Sequence, residues 1–250
     1  MKKQINLILT AVMFYTRIPV PCSLPYSEDM LNRSTRYFPL IGWIVGGTGA
    51  GVFYGMTFFL PKEISVFLSM IATLLVTGAF HEDGFADFCD GFGGGMTRDK
   101  FFSIMKDSRI GTYGTVALIS ILGAKFLCLN SFPFIVIPVV LWAAHSFSRI
   151  MPVIIIFTSF YSRQDLLSKV KPIGKRGKIS DFVISVFIGS FPMIFLPWQF
   201  TAIIVPVALI ITCMFKRYTE NKINGYTGDC LGALQQIVEI SFYLSLLVVS

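Results

Sequence analysis

The sequence predicts an all-α protein, a polytopic transmembrane helical bundle of about seven spans with an N-terminal interfacial or re-entrant helix. Three observations predict it. Hydrophobic residues make up 54% of the 250-residue chain and charged residues only 14%, with a mean hydropathy of +0.70. That is more apolar surface than a soluble domain of this length can hide. Apolar runs of spanning or near-spanning length recur along the chain, and the charged residues gather in alternate connections.

The first element is short. Lys2 and Lys3 followed by the apolar run Ile5 to Tyr15 resemble the opening of a secretory signal, but no small-x-small cleavage site follows and Arg17 sits among Pro19, Pro21 and Pro25. The run falls below the ~20 residues that a span requires, so a retained interfacial or re-entrant helix is expected. Seven apolar runs follow: Tyr37 to Leu60, Glu63 to Phe80, Thr112 to Leu129, Phe134 to Phe160, Asp181 to Trp198, Phe200 to Phe215 and Leu234 to Ser250. Their connections alternate. Pro61-Lys62, Asn130 to Pro133 and Gln199 are short, whereas His81 to Gly111, Tyr161 to Ser180 and Lys216 to Ala233 are long and polar.

The long connections and the first 36 residues hold every Lys and Arg except Lys62, Lys125 and Arg149. The positive-inside rule puts that side in the cytoplasm, with the charged loops facing inward. The net charge of +7 is explained the same way, and nucleic acid is not an expected partner. Cys22, Cys89, Cys128, Cys213 and Cys230 are odd in number and form no Cys-x-x-Cys pair, which indicates neither a disulfide framework nor a zinc site. No repeat or separating linker divides residues 1–250, so one membrane domain is expected.

The stretch with the most chemistry is Thr77-Gly-Ala-Phe-His-Glu-Asp-Gly-Phe-Ala-Asp-Phe-Cys-Asp-Gly. If the second span's helix runs on past Phe80, Asp83, Asp87 and Asp90 fall at i, i+4 and i+7 and form one carboxylate stripe. Like charges at that spacing destabilise a helix unless a cation sits between them, and oxygen-only ligands suit Mg²⁺. Asp83, Asp87, Asp90 and the adjoining Glu82 are therefore the metal-ligand candidates. A solvated helix end is the competing reading, but Phe80, Phe85, Ala86, Phe88 and Phe92 give the segment an apolar face opposite its acids. His81 is read as a neighbour that hydrogen-bonds and is not counted as a ligand.

Two further stretches suit phosphate. Lys106-Asp-Ser-Arg-Ile-Gly-Thr-Tyr-Gly precedes the third span, with Lys106, Ser108 and Arg109 as binding candidates and backbone N–H groups free to meet an anion. Asn224-Gly-Tyr-Thr-Gly-Asp-Cys-Leu-Gly-Ala precedes the last span, with Thr227 as a phosphate cradle and Asp229 as an extra carboxylate or base. A glycine-rich turn capped by Asp229 is the alternative there. Arg149 lies too deep in its run to reach water, and it should pair with an acid or an anionic substrate. Lys125 is expected to snorkel outward, and Gln235, Gln236 and Glu239 to face a polar cavity. The basic loop Arg163 to Lys178 suits lipid head groups or an anionic nucleotide.

Through Thr16-Arg-Ile-Pro-Val-Pro, Phe38-Pro-Leu-Ile-Gly, the acidic block from Phe80, Asp107-Ser-Arg-Ile-Gly-Thr-Tyr-Gly and Thr227-Gly-Asp-Cys-Leu-Gly-Ala, in that order, the chain resembles the cobalamin synthases, or adenosylcobinamide-GDP ribazoletransferases. Glu82 and Tyr113 depart from that family's commoner apolar residue and histidine. The resemblance implies a Mg²⁺-dependent membrane enzyme in which α-ribazole or its phosphate attacks adenosylcobinamide-GDP and displaces GMP. It implies Asp83, Asp87 and Asp90 on Mg²⁺, Lys106 and Arg109 on the diphosphate, and Asp229 as further ligand or base. Its partners would be these small molecules and membrane lipid, and a homo-oligomer is compatible with it. A CDP-alcohol phosphotransferase is the nearest alternative, although Asp87 follows Ala86 where that motif carries arginine. A cation transporter is a more distant one, because the acids gather at one membrane face.

Overall fold

A computed structural model describes residues 2–20, 24, 27–162 and 178–249. Most of the basic loop from Arg163, and Cys22, lie outside them. The described residues form twelve α-helices. These are α1 (Lys2–Tyr15), α2 (Glu28–Ser34), α3 (Phe38–Met56), α4 (Lys62–Thr77), α5 (Phe80–Gly94), α6 (Arg98–Met105), α7 (Thr112–Ser131), α8 (Ile137–Phe147), α9 (Ile150–Thr158), α10 (Ile179–Ser190), α11 (Trp198–Ile223) and α12 (Gly228–Val249). The all-α membrane bundle predicted from sequence is what forms.

The number of spans comes out lower than expected. Among the described residues, five helical stretches are long and apolar enough to cross a bilayer: Glu28–Met56, Thr112–Ser131, Phe134–Thr158, Trp198–Ile223 and Gly228–Val249. Counting α4 and α5 together as one broken span gives six. The two expected spans that fall short have identifiable stops. α4 ends after 16 residues because Gly78 and Ala79 are both left-handed, at φ 65° and 55°. A Cβ on Gly78 would also run into the Arg17 side chain. α10 ends after 12 residues, where Pro192 opens a 3-10 turn over Phe191–Phe195. Two boundaries also move: α11 continues through Lys216 to Ile223, and α12 starts at Gly228 rather than Leu234.

α8 and α9 make the central, most buried span. Its break at Ser148 and Arg149 lies just before Pro152, whose ring would clash with the carbonyl four residues earlier in an unbroken helix. α3 packs on α8 at backbone contact: a Cβ on Gly46 would lie 2.6 Å from the Leu141 carbonyl, and one on Gly42 would collide with that of His145. Small residues four apart are how helices approach closely in a bilayer, where the hydrophobic effect does not drive them together. α12 is the other axis of the bundle. It lies against α5, where a Cβ on Gly232 would stand 3.1 Å from the His81 carbonyl, and against α7, α9 and α11.

Candidate active site

The acidic block forms its own helix. α4 does not run on past Phe80; the axis turns by 87° at the left-handed pair, and α5 begins there. The expected spacing survives because α5 alone covers Asp83, Asp87 and Asp90. Glu82 and Asp83 occupy its first turn, where the helix dipole favours negative charge. The expected apolar face turns inward except at Phe80, which is exposed. Phe85, Ala86 and Phe88 are buried, and the Phe88 ring stacks on Phe215 at 5.0 Å between centroids. Phe92 continues the layer against Phe101 and Tyr218.

The four acids then part company. Asp83 is exposed and Asp87 half-buried, on the same edge of α5. Asp90 is buried, and its two carboxylate oxygens accept the N–H of Gly111 at 2.7 Å and of Gly114 at 2.8 Å. The N-terminus of α7 therefore does bind an anion, but the anion is this side chain. This corrects the expectation that those amides meet phosphate. Glycine is required at both positions, because a Cβ on either would collide with the Asp90 carboxylate. Glu82 leaves the stripe altogether: its Oε1 accepts from Gln236 Nε2 at 2.8 Å, and its Oε2 is buried with no hydrogen-bond partner. As a metal ligand it is misplaced, pointing to α12 rather than to the Asp83 edge.

Asp229 is brought to the acids. It lies in the first turn of α12, and its Cα sits 3.0 Å from where a Cβ on Gly84 would be. Gly84 follows Asp83 and precedes Asp87 by less than one turn, so the small residue lets α12 seat its first turn against the acidic edge. Thr227 is the cap of that turn. It is buried, with its hydroxyl accepting from the Cys230 N–H at 3.3 Å, so Thr227 rather than Asp229 caps the helix. A buried, committed hydroxyl is a poor phosphate cradle.

Lys106, Ser108 and Arg109 are exposed in the connection between α6 and α7. Arg109 is clasped by Asp107, with Nη2 to Oδ2 at 2.7 Å and its backbone N–H to Oδ1 at 3.1 Å. The Arg109 side chain and its backbone N–H hold the Asp107 carboxyl down at about 2. Tyr113 lies over Gly93, its ring 2.6 Å from where a Cβ there would stand, which ties α7 to the end of α5.

Arg149 belongs elsewhere. It is 1% exposed in the bundle interior, donating to the His145 carbonyl at 2.6 Å, with its guanidinium over the Phe38 ring. No carboxylate among the described residues is in ion-pair contact with it, and its Nε has no hydrogen-bond partner. Around it lies a polar network whose members sequence reasoning only half identified. Gln235, Gln236 and Glu239 do face a polar interior, as expected. Lys125 does not snorkel: its ammonium lies 2.8 Å from Glu239 and donates to Gln236 at 2.7 Å. Tyr243 and Gln235 also donate to Glu239, and Gln235 donates to Ser148 at 2.9 Å. The Arg36–Asp181 ion pair, at 2.5 Å and buried on both sides, went unforeseen, although an arginine directly before one span and a single aspartate opening another were signals for it.

Mg²⁺ can be tested against this donor set. Among the described residues no group of three or more His, Cys, Asp or Glu converges on one point. What the fold offers is an exposed edge with Asp83 and Asp87, and Asp229 at its border. That suits Mg²⁺, which keeps several waters and usually takes one or two carboxylates, leaving other positions to substrate phosphates.

Comparison with known proteins closes the identification. The family model for cobalamin-5-phosphate synthase matches residues 7–247. An adenosylcobinamide-GDP ribazoletransferase of Leptospira interrogans is 43% identical over 99% of this chain and 97% of its own length. Those of Vibrio cholerae and Shewanella amazonensis are both 42% identical, over 99% and 98% of this chain and 95% and 96% of theirs. No solved structure matches the chain. With a family model covering nearly all of its length and full-length relatives above 40% identity, this chain belongs to the cobalamin-5-phosphate synthase family.

Proposed function

We propose that this protein is a Mg²⁺-dependent transferase that joins adenosylcobinamide-GDP to α-ribazole, or to α-ribazole 5′-phosphate, and releases GMP. The observation that carries the reading is end-to-end similarity to relatives bearing that name, 43% over 99% of the chain for one of them. The match favours it over a CDP-alcohol phosphotransferase or a cation transporter. The geometry adds an acidic edge at the end of a membrane helix pair, with a second helix start seated against it.

In the reaction a ribazole hydroxyl oxygen bonds to the phosphorus nearer the corrinoid. The bond from that phosphorus to the GMP oxygen breaks, and the hydroxyl proton leaves to a base. Asp83 and Asp87 are the residues that would hold Mg²⁺, which when bound neutralises the diphosphate and the departing nucleotide. Asp229, beside them, is placed to accept the proton or to add a ligand. Lys106 and Arg109 supply positive charge on the next connection. Asp90 supports the edge through α7. We further place the protein in the cytoplasmic membrane with this edge facing the cytoplasm, where the positive-inside pattern puts its long loops.

Purified protein in lipid vesicles, given adenosylcobinamide-GDP, α-ribazole and Mg²⁺, should release GMP and form the joined cobalamin, as read by mass spectrometry. Absence of both products under conditions where a relative is active would refute the assignment.

A further inference from the structure

Glu82 and Gln236 make a contact between α5 and α12 that the reaction itself does not use. Gln236 Nε2 donates both to Glu82 Oε1 and to Gln235 Oε1, at 2.8 Å each, while its own Oε1 accepts from Lys125. One amide thereby joins α5 to the ion pair between α7 and α12. Beside it lies a cavity of about 20 Å³ lined by Glu82, Lys125, His145, Glu239 and Tyr243, room for about one water molecule. Glu82 lines that cavity, and its buried Oε2 has no hydrogen-bond partner.

Helix geometry turns this contact into a constraint. Successive residues on α5 are about 100° apart, so fixing Glu82 toward α12 forces Asp83 and Asp87 onto a face about 100–140° away. A rotation of α5 that swung Asp83 inward would break the Glu82–Gln236 bond and leave a carboxyl group and an amide buried without each other, which is unfavourable because buried polar groups lose their water as well as their partner. Phe88 on Phe215 and Asp90 on α7 resist rotation farther along; at the first turn, where Asp83 lies, the Glu82–Gln236 bond acts beside the buried His81 ring, which stacks on Phe38 at 5.6 Å.

We propose that Glu82 and Gln236 are positioning residues: an internal hydrogen bond that sets the rotation of α5 and so presents Asp83 and Asp87 to the metal. The inference rests on the reading of that edge as the metal site. Metal-supporting contacts of this kind are worth about tenfold or more in affinity.

The test is Mn²⁺ binding to the full-length protein in vesicles, read by electron paramagnetic resonance without substrates. Gln236→Leu and Glu82→Leu, which each break the bond, should weaken Mn²⁺ binding about tenfold or more. Glu82→Gln, which keeps an acceptor for Gln236, should stay within about twofold. Either leucine variant decides alone if the other does not fold. Leucine variants that bind Mn²⁺ like the parent would overturn the proposal, and Glu82→Gln losing affinity as fully as Glu82→Leu would make Glu82 a ligand instead. Asp83→Asn is run beside them. If it leaves Mn²⁺ affinity intact, the metal edge itself is wrong; if it loses affinity while the leucine variants do not, only the positioning role falls.

Discussion

The Lys125 ammonium and the Glu239 carboxylate meet at 2.8 Å in the middle of the bundle, both side chains at 5% exposure or less. Their other contacts are hydrogen bonds to Gln236, Gln235 and Tyr243, and His145 lies 3.5 Å from Glu239, but no second Lys, Arg or acid among the described residues is in ion-pair contact with either. Removing one leaves the other buried and uncompensated, which typically costs about 3–5 kcal/mol, whereas replacing both with apolar residues is often neutral. Lys125→Met is therefore expected to lose about 3–5 kcal/mol of stability and Lys125→Met/Glu239→Leu to regain most of it. Thermal unfolding in detergent checks this; a double variant no better than the single one would show that the network, and not the pair, carries the stability.

Asp90 is expected to behave as an anchor. Asp90→Ala removes the acceptor for two N–H groups at the start of α7, and about 1–3 kcal/mol of local stability should go with it. Hydrogen exchange at Gly111 and Gly114 is the readout. Unchanged protection there would contradict the anchoring role.

Close packing of α3 on α8 should tolerate nothing larger than glycine at Gly42. A Cβ there collides with backbone, not with a side chain that can turn aside. Gly42→Val is predicted to cut the yield of folded protein severely, while Gly47→Ala, where a Cβ meets nothing, should be silent. Size-exclusion profiles of the two variants separate these outcomes.

The clasp of Arg109 by Asp107 has a defined pH window. The Asp107 carboxyl is held below its ordinary value, at about 2, so its contribution is present above the usual carboxylate range and is lost only as the pH falls through about 2. Between pH 5 and 9 the clasp should not change. Titration of a ¹³C-labelled Asp107 carboxyl should show no transition above about 3, and a midpoint near 4 would show that the clasp is not formed.

Much of this architecture is legible in the residues. α7 is read from Thr112 to Leu129 and found at Thr112–Ser131, because Gly111 and the polar Asn130 and Ser131 bracket an apolar run whose one charge is Lys125. The inward set of Gln235, Gln236 and Glu239 is also legible, since a bilayer offers such groups no solvent. The turn at Gly78 and Ala79 is not: a single glycine in a helical pattern is ordinarily tolerated, and nothing local forces the alanine after it to be left-handed.

Within the site the illegible part is which carboxylate faces where. Glu82 and Asp83 are neighbours of equal charge, and what separates them is an amide 154 residues from Glu82. Lys125 misleads for the same reason, its partner Gln236 lying 111 residues on. Gly111 and Gly114 read as a phosphate loop because an amide cluster at a helix start suits any anion, and local sequence does not say that Asp90 already fills it.

Asp87→Asn tests the centre of the account most directly. In vesicles it should insert and unfold like the parent protein yet release GMP at least about a hundredfold more slowly, with Mn²⁺ binding correspondingly weakened, as for loss of a charged group that holds the reacting phosphates. GMP release at close to the parental rate would contradict the assignment of the Asp83–Asp87 edge as the reacting centre.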